Sequence, residues 1–162
     1  MAKQEKRQGK KSMKSEEKKG GFKCCYCGQW VRFSEFMGTA HRNHCPYCLW
    51  SKHVDDRKVG DRKSRCQKPM KPIGLTFKWE GVDKYNNLRE GELMLIHECT
   101  GCGKISINRI AADDNEETIL KVFDESQKLP LQKKVELQRK NIAILSSEAK
   151  ERVITQLFGK IN

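Results

Sequence analysis

The 162-residue chain is 33% charged and 36% hydrophobic, with a mean hydropathy of -0.79. That balance excludes one large apolar core and any membrane-spanning run, leaving a small domain with polar extensions. A formal charge of +12 and eight cysteines point to an anionic partner and to a fold held by more than apolar burial.

Residues 1–20 carry eight Lys or Arg against three Glu and no aromatic or β-branched residue. Burial cannot offset their ordering entropy, so they are predicted to be a disordered basic arm, either a solubilising tail or one that orders on phosphates. The opening residues lack the apolar core of a secretory signal. The cysteines are therefore expected in a reducing cytoplasm rather than in a disulfide framework.

Phe22 to Phe36 reads as a strand, a turn at Cys24-x-x-Cys27-Gly28 and a second strand through Trp30, Val31 and Phe33. A C-x-x-C turn lets two thiolates face one ion, and the following Gly supplies the positive φ of such a knuckle. Cys25 adjoins a ligand but breaks the three-residue spacing, so it is expected to be a packed or exposed thiol. Past Gly38 the chain runs through His41-Arg42-Asn43-His44 into a second turn, Cys45-Pro46-Tyr47-Cys48, and Leu49-Trp50 are expected to pack against the first hairpin. Cys24, Cys27, Cys45 and Cys48 form the first predicted zinc site.

Residues 55–71 are predicted to be a basic loop, with Arg57, Lys58, Arg62, Lys63, Arg65, Lys68 and Lys71 showing no helical period. It is a solvated loop or a phosphate-contacting one. Strands are predicted at Leu75 to Trp79, Glu92 to His97 and Lys104 to Ile110, with the third turn, Cys99-x-x-Cys102-Gly103, between the last two. His97 and Cys99 leave one face of an extended strand and can share an ion with Cys102. Cys66 is assigned as the fourth ligand of this second site, with His53 and His44 as substitutes for it. Two structural zinc ions are thus expected; four protein ligands on each leave no open position for a catalytic water.

Beyond Ala112 the pattern turns helical, over Glu116 to Lys128, Leu131 to Ile144 and Glu148 to Phe158. Pro130 divides the first two helices, Ser146 or Ser147 can cap the third and Gly159 can end it. The chain is accordingly divided into a basic arm (1–20), a double zinc-binding domain (21–112) and a helical tail (113–162). The fold class is small α+β, with two zinc-ribbon-like β-hairpin modules and a C-terminal helical extension.

The pentad Arg42-Asn43-His44-Cys45-Pro46 resembles the motif of the RNHCP domain family of bacterial proteins. The surroundings are similar to that family as well: Cys24-x-x-Cys27-Gly28, Cys48-Leu49-x-Ser51-x-His53-Val54-Asp55, Gly60-Asp61-Arg62, Cys66, His97-x-Cys99-x-x-Cys102-Gly103 and Asn108-Arg109 before Asp113-Asp114. The resemblance covers roughly residues 22–114. It implies a zinc-binding module and carries over no activity.

Three functions compete on these residues. The first is a non-catalytic zinc protein that binds RNA, with the ribosome as a candidate partner, through the arm and Arg57, Lys58, Arg62, Lys63, Arg65 and Lys68; Trp30, Trp50, Trp79 and Tyr85 are either base-stacking surfaces or small-core residues. The second is a protein-interaction adaptor that docks a partner through residues 113–162. The third is a His-metal finger nuclease using His41, Asn43, His44, His53, Asp55, Asp61 and Arg62, against which stands a supporting role for Arg42, Asn43 and His44 beside the thiolates. The balance favours the RNA binder and runs against an enzyme.

Overall fold

The computed structural model describes residues 20–33, 42–89 and 91–159. The expected basic arm, apart from Gly20, lies outside these residues, as do Ser34 to Phe36 of the first predicted hairpin and His41.

The described residues form a small α+β fold with two sheets and three α-helices. Strands β1 (Gly21–Lys23) and β2 (Trp30–Arg32) pair antiparallel with Phe22 opposite Val31. The second sheet has the order β3 (Ser51–Lys52), β4 (Pro69–Phe77), β5 (Leu93–Cys99), β6 (Ile105–Arg109), so each strand neighbours the next in sequence. Strands β3 and β4 run antiparallel with Ser51 opposite Met70. The helices are α1 (Glu116–Ser126), α2 (Leu131–Arg139) and α3 (Lys150–Phe158), the last entered through a 3-10 turn at Ser147–Ala149. None of the described helices is long and apolar enough to cross a membrane.

Two boundaries differ from the sequence reading for identifiable reasons. Strand β4 begins at Pro69 rather than Leu75, because the stretch after Cys66 pairs back on β3 and on the residues beyond it: the N–H of His53 donates to Lys68 O at 2.9 Å and that of Gln67 to His53 O at 3.1 Å. Helix α2 stops at Arg139 rather than Ile144 because Asn141 takes φ 58°, the left-handed turn that ends helices, and the Ile142 N–H folds back to Leu137 O at 3.0 Å. Asn is the commonest non-glycine residue in that conformation.

The chain divides into two compact units. Of the described residues, the first comprises 20–33, 42–71, 98–105 and 111–115. Its core is small: Cys24, Val31 and Cys45 are buried together with Phe22 and Cys48 packed against them, and Leu49 and Val54 are also buried. The second comprises the described residues of 72–89, 91–97, 106–110 and 116–159. There Leu75, Leu95, Ile96, Ile119, Phe123, Leu137 and Val153 are withdrawn from solvent. The segment after α2 lies along β4, with the Leu145 N–H on Leu75 O at 2.9 Å and the Thr76 hydroxyl on Ala143 O at 2.8 Å. Gly74 permits this approach, since a Cβ there would meet Ile144 Cδ1 at 2.8 Å. Of the described residues after Ala112, 113–115 fall in the first unit and 116–159 in the second.

Candidate metal centres

The three C-x-x-C turns share one backbone geometry, and each side of it follows from the sequence. In each, the N–H of the first cysteine donates to the carbonyl five residues on: Cys24 to Gln29 (2.8 Å), Cys45 to Trp50 (2.9 Å) and Cys99 to Lys104 (2.9 Å). The N–H four residues on returns to the first cysteine's carbonyl, from Gly28, Leu49 and Gly103 respectively. That closing residue must be left-handed, at φ 76°, 63° and 74°. Glycine meets the need twice. Leu49 meets it against its steric preference, and its side chain is completely buried.

These turns gather two clusters of metal-ligand side chains. Cys24, Cys27, Cys45 and Cys48 form one; His53, Cys66, Cys99 and Cys102 form the other, and within each cluster the ligand atoms all lie within 4.8 Å of one another. Sulfur separations are 3.6 Å for Cys24–Cys48, 3.6 Å for Cys27–Cys45 and 3.5 Å for Cys66–Cys99, and Cys102 Sγ is 3.3 Å from His53 Nδ1. A tetrahedral zinc with Zn–S near 2.3 Å requires sulfurs roughly 3.8 Å apart, whereas a disulfide requires about 2.05 Å. All eight cysteines are free thiols. Donor type, number and spacing thus fit two structural zinc sites, one of four thiolates and one of three thiolates and an imidazole. Zinc held there would supply covalent-like cross-links with no open coordination position.

Hydrogen bonds prepare the sulfurs for a cation. The N–H of Tyr26 reaches Cys24 Sγ and that of Gly101 reaches Cys99 Sγ, each at 3.4 Å. The Cys48 thiol bonded to Cys45, helped by backbone N–H groups, brings Cys45 down from 9.0 to about 5, while the same contact drives Cys48 upward. Burial opposes ionisation of Cys99, yet the backbone N–H groups of Cys102 and Gly101, with Cys66 and His53, lower it from 9.0 to about 6. Burial raises Cys24 and Cys66.

The second cluster corrects one predicted ligand. Cys66, Cys99 and Cys102 come together, but the imidazole is His53 and not His97. Residues two apart on a strand share a face yet sit nearly 7 Å apart along it, too far to serve one ion that the Cys99–Cys102 turn already holds at the strand end. His97 is completely buried, and its Nδ1 lies 2.9 Å from Asn108 Nδ2. His53 reaches the site because it is paired across from Gln67 and Lys68, one step past Cys66. The signal for this was the turn chemistry of Gly60-Asp61 midway between His53 and Cys66. Cys25 joins neither cluster; its thiol donates to Ser51 O at 3.4 Å.

The residues around the second knuckle hold carboxylates and backbone. Arg42 Nη1 makes a bidentate pair with Asp113 at 2.6 and 2.8 Å, its Nη2 donates to Asp114 at 3.0 Å and its Nε to His44 O at 2.9 Å. His44 Nε2 sits 2.7 Å from Asp114 Oδ2, which also accepts the Ala111 N–H at 2.8 Å. The side chains of Arg42 and Asp114 are wholly buried. Asn43 donates to Asp55 at 3.0 Å and accepts from Arg62.

Within the basic loop, two of the three aspartates, Asp55 and Asp61, turn to the backbone. Asp61 accepts the N–H groups of Asp56, Arg57, Lys58 and Lys63 at 2.8 to 3.1 Å, which holds its carboxyl well below the usual range. Asp55 accepts those of Gly60 and Arg62 at 2.9 and 3.0 Å. Of the six predicted nucleic-acid contacts, Arg57, Lys58, Lys63, Arg65 and Lys68 are exposed, while Arg62 is half-buried against Asn43 and Asp55.

The model of the RNHCP domain family matches residues 19–120, well over half of the chain, and the protein belongs to that family. No curated protein and no solved structure matches it.

Proposed function

We propose that this RNHCP-domain protein is a non-catalytic, zinc-stabilised RNA binder of the cytoplasm whose contact surface is the loop between His53 and Cys66 and the residues just after it. The observation that carries this reading is the charge asymmetry of that loop. Its five exposed cations face solvent with Asp56 the one exposed carboxylate among them, while Asp55 and Asp61 accept backbone N–H groups. The loop is thereby stiff and positive at once, and the entropy of ordering it is not charged to the binding step. Its ends are fixed by ligands of the second cluster, which ties the surface to the metal.

Among the described residues, the groups that a nuclease would need are occupied otherwise. His44 is buried on Asp114, His53 belongs to a metal cluster, and Asp55 and Asp61 hold backbone. A docking role for residues 113–162 would have to use Leu131 and Phe158, the large apolar side chains of the helices that remain exposed.

Fluorescence anisotropy of a labelled single-stranded RNA, titrated with zinc-loaded protein at several salt concentrations, tests the reading. Affinity is expected to fall with salt at a log-log slope of about -0.7 per phosphate contacted, and joint alanine replacement of Arg57, Lys58, Lys63, Arg65 and Lys68 should flatten that slope. Salt-independent binding, or an unchanged slope in the variant, contradicts it. Ribosomal particles are the first natural RNA to try, by co-sedimentation.

A further inference from the structure

Beside the first metal cluster, within the first unit, is an open cavity of about 630 Å³ with its mouth included. Its walls are aromatic, from Phe22, Phe33 and Trp50, and its cations are Lys23, Arg42, Lys52 and Arg62, of which Arg42 is paired with Asp113 and Asp114; no carboxylate lines it among the described residues. Phe22 and Phe33 lie with ring centres 5.9 Å apart. Trp50 is fixed in plane by Tyr26, stacked on it at 3.9 Å and 2°. Lys52 follows Trp50 by two residues, and both line the cavity.

We infer that this cavity is a subsite for one unpaired nucleotide, its base against Trp50, Phe22 and Phe33 and its phosphate at Lys23 and Lys52. The inference rests on the RNA reading and assigns that reading its single-strand contact. A planar, apolar-faced group carrying negative charge matches aromatic walls joined to unopposed lysines. Stacking is tolerant of base identity because every base has a π-face, so no sequence preference is implied. The immobilised indole contributes by arriving already ordered. Arg62, held by Asn43 and Asp55, closes the floor rather than reaching for phosphate.

The test is a two-dimensional amide NMR titration of zinc-loaded full-length protein with AMP, adenosine and inorganic phosphate, alongside RNA anisotropy. AMP is expected to shift the amide signals of Phe22, Lys23, Trp50 and Lys52, adenosine to bind more weakly, and phosphate alone to leave the aromatic positions unmoved. The double substitution K23A/K52A should weaken AMP by roughly tenfold with zinc content unchanged, while the loop variant described above should keep AMP and lose RNA. If RNA binds and AMP leaves these signals in place, the subsite is overturned and the RNA reading stands. If AMP binds here and RNA shows no salt-dependent affinity, the subsite stands and the RNA reading falls. Identical shifts from phosphate and AMP overturn the base-stacking assignment.

Discussion

Asp114 accepts from Arg42, His44 and the Ala111 N–H in a site from which solvent is absent. Removing one member of such a buried set strands the others' charge, at a cost of about 3–5 kcal/mol. Asp114→Ala is therefore expected to destabilise the zinc-loaded protein by that amount in denaturant unfolding, and Asp113→Ala, whose side chain is 53% exposed, by far less. Equal effects would contradict the buried network. Leu49 gives a second test. A left-handed Leu costs roughly 1–2 kcal/mol, but a buried Leu is worth about 2–5 kcal/mol, so Leu49→Gly should destabilise despite relieving the backbone. A stabilised variant would show that strain outweighs burial there. The metal ligands separate just as cleanly: His53→Ala should lose one zinc, whereas His97→Ala should keep both.

At the level of elements, the C-x-x-C turns, the first cluster, the helices and the strands other than the short β3 were legible because each has a local signature. Cys66 followed by elimination from the cysteine count. What was not legible depended on pairing between distant residues. His53 joins the second cluster only because the strand leaving the second knuckle continues its ladder to Gln67 and Lys68, and spacing within β5 made His97 look adequate. Asp113 and Asp114 lie about seventy residues from Arg42, beyond any periodic signal. The loop's aspartates were likewise visible only as charges, not as the scaffold they form. That scaffold makes an opposed prediction. Asp61→Ala raises the local positive charge, which alone would tighten RNA binding, yet it frees four backbone N–H groups and should lower affinity several-fold at unchanged zinc content. Tighter binding would mean that charge rather than order governs the loop.

For the whole molecule, the two units differ in what keeps them folded. The first has few buried apolar side chains besides its ligands, so metal, worth about 10–16 kcal/mol per structural site, carries it; the second has an aliphatic and aromatic core of its own. Chelation should therefore strip amide-exchange protection from residues 21–33 and 42–71 while α1 to α3 keep more of theirs. Acid acts in the same direction. Cys45 and Cys99 are lowered in the folded chain, so their contribution is present above 9.0 and is lost as pH falls through about 5 and about 6 respectively. Protons compete with metal for the same sulfur lone pairs, and a chromogenic chelator should see zinc released from both clusters as pH drops from 7. Native mass spectrometry of the purified protein, beside its His53→Ala and His97→Ala variants, is the most direct measurement. Two zinc ions per chain, falling to one with the first substitution and staying at two with the second, is the result this structure requires; a metal-free chain, or a loss that follows His97 instead, would contradict it.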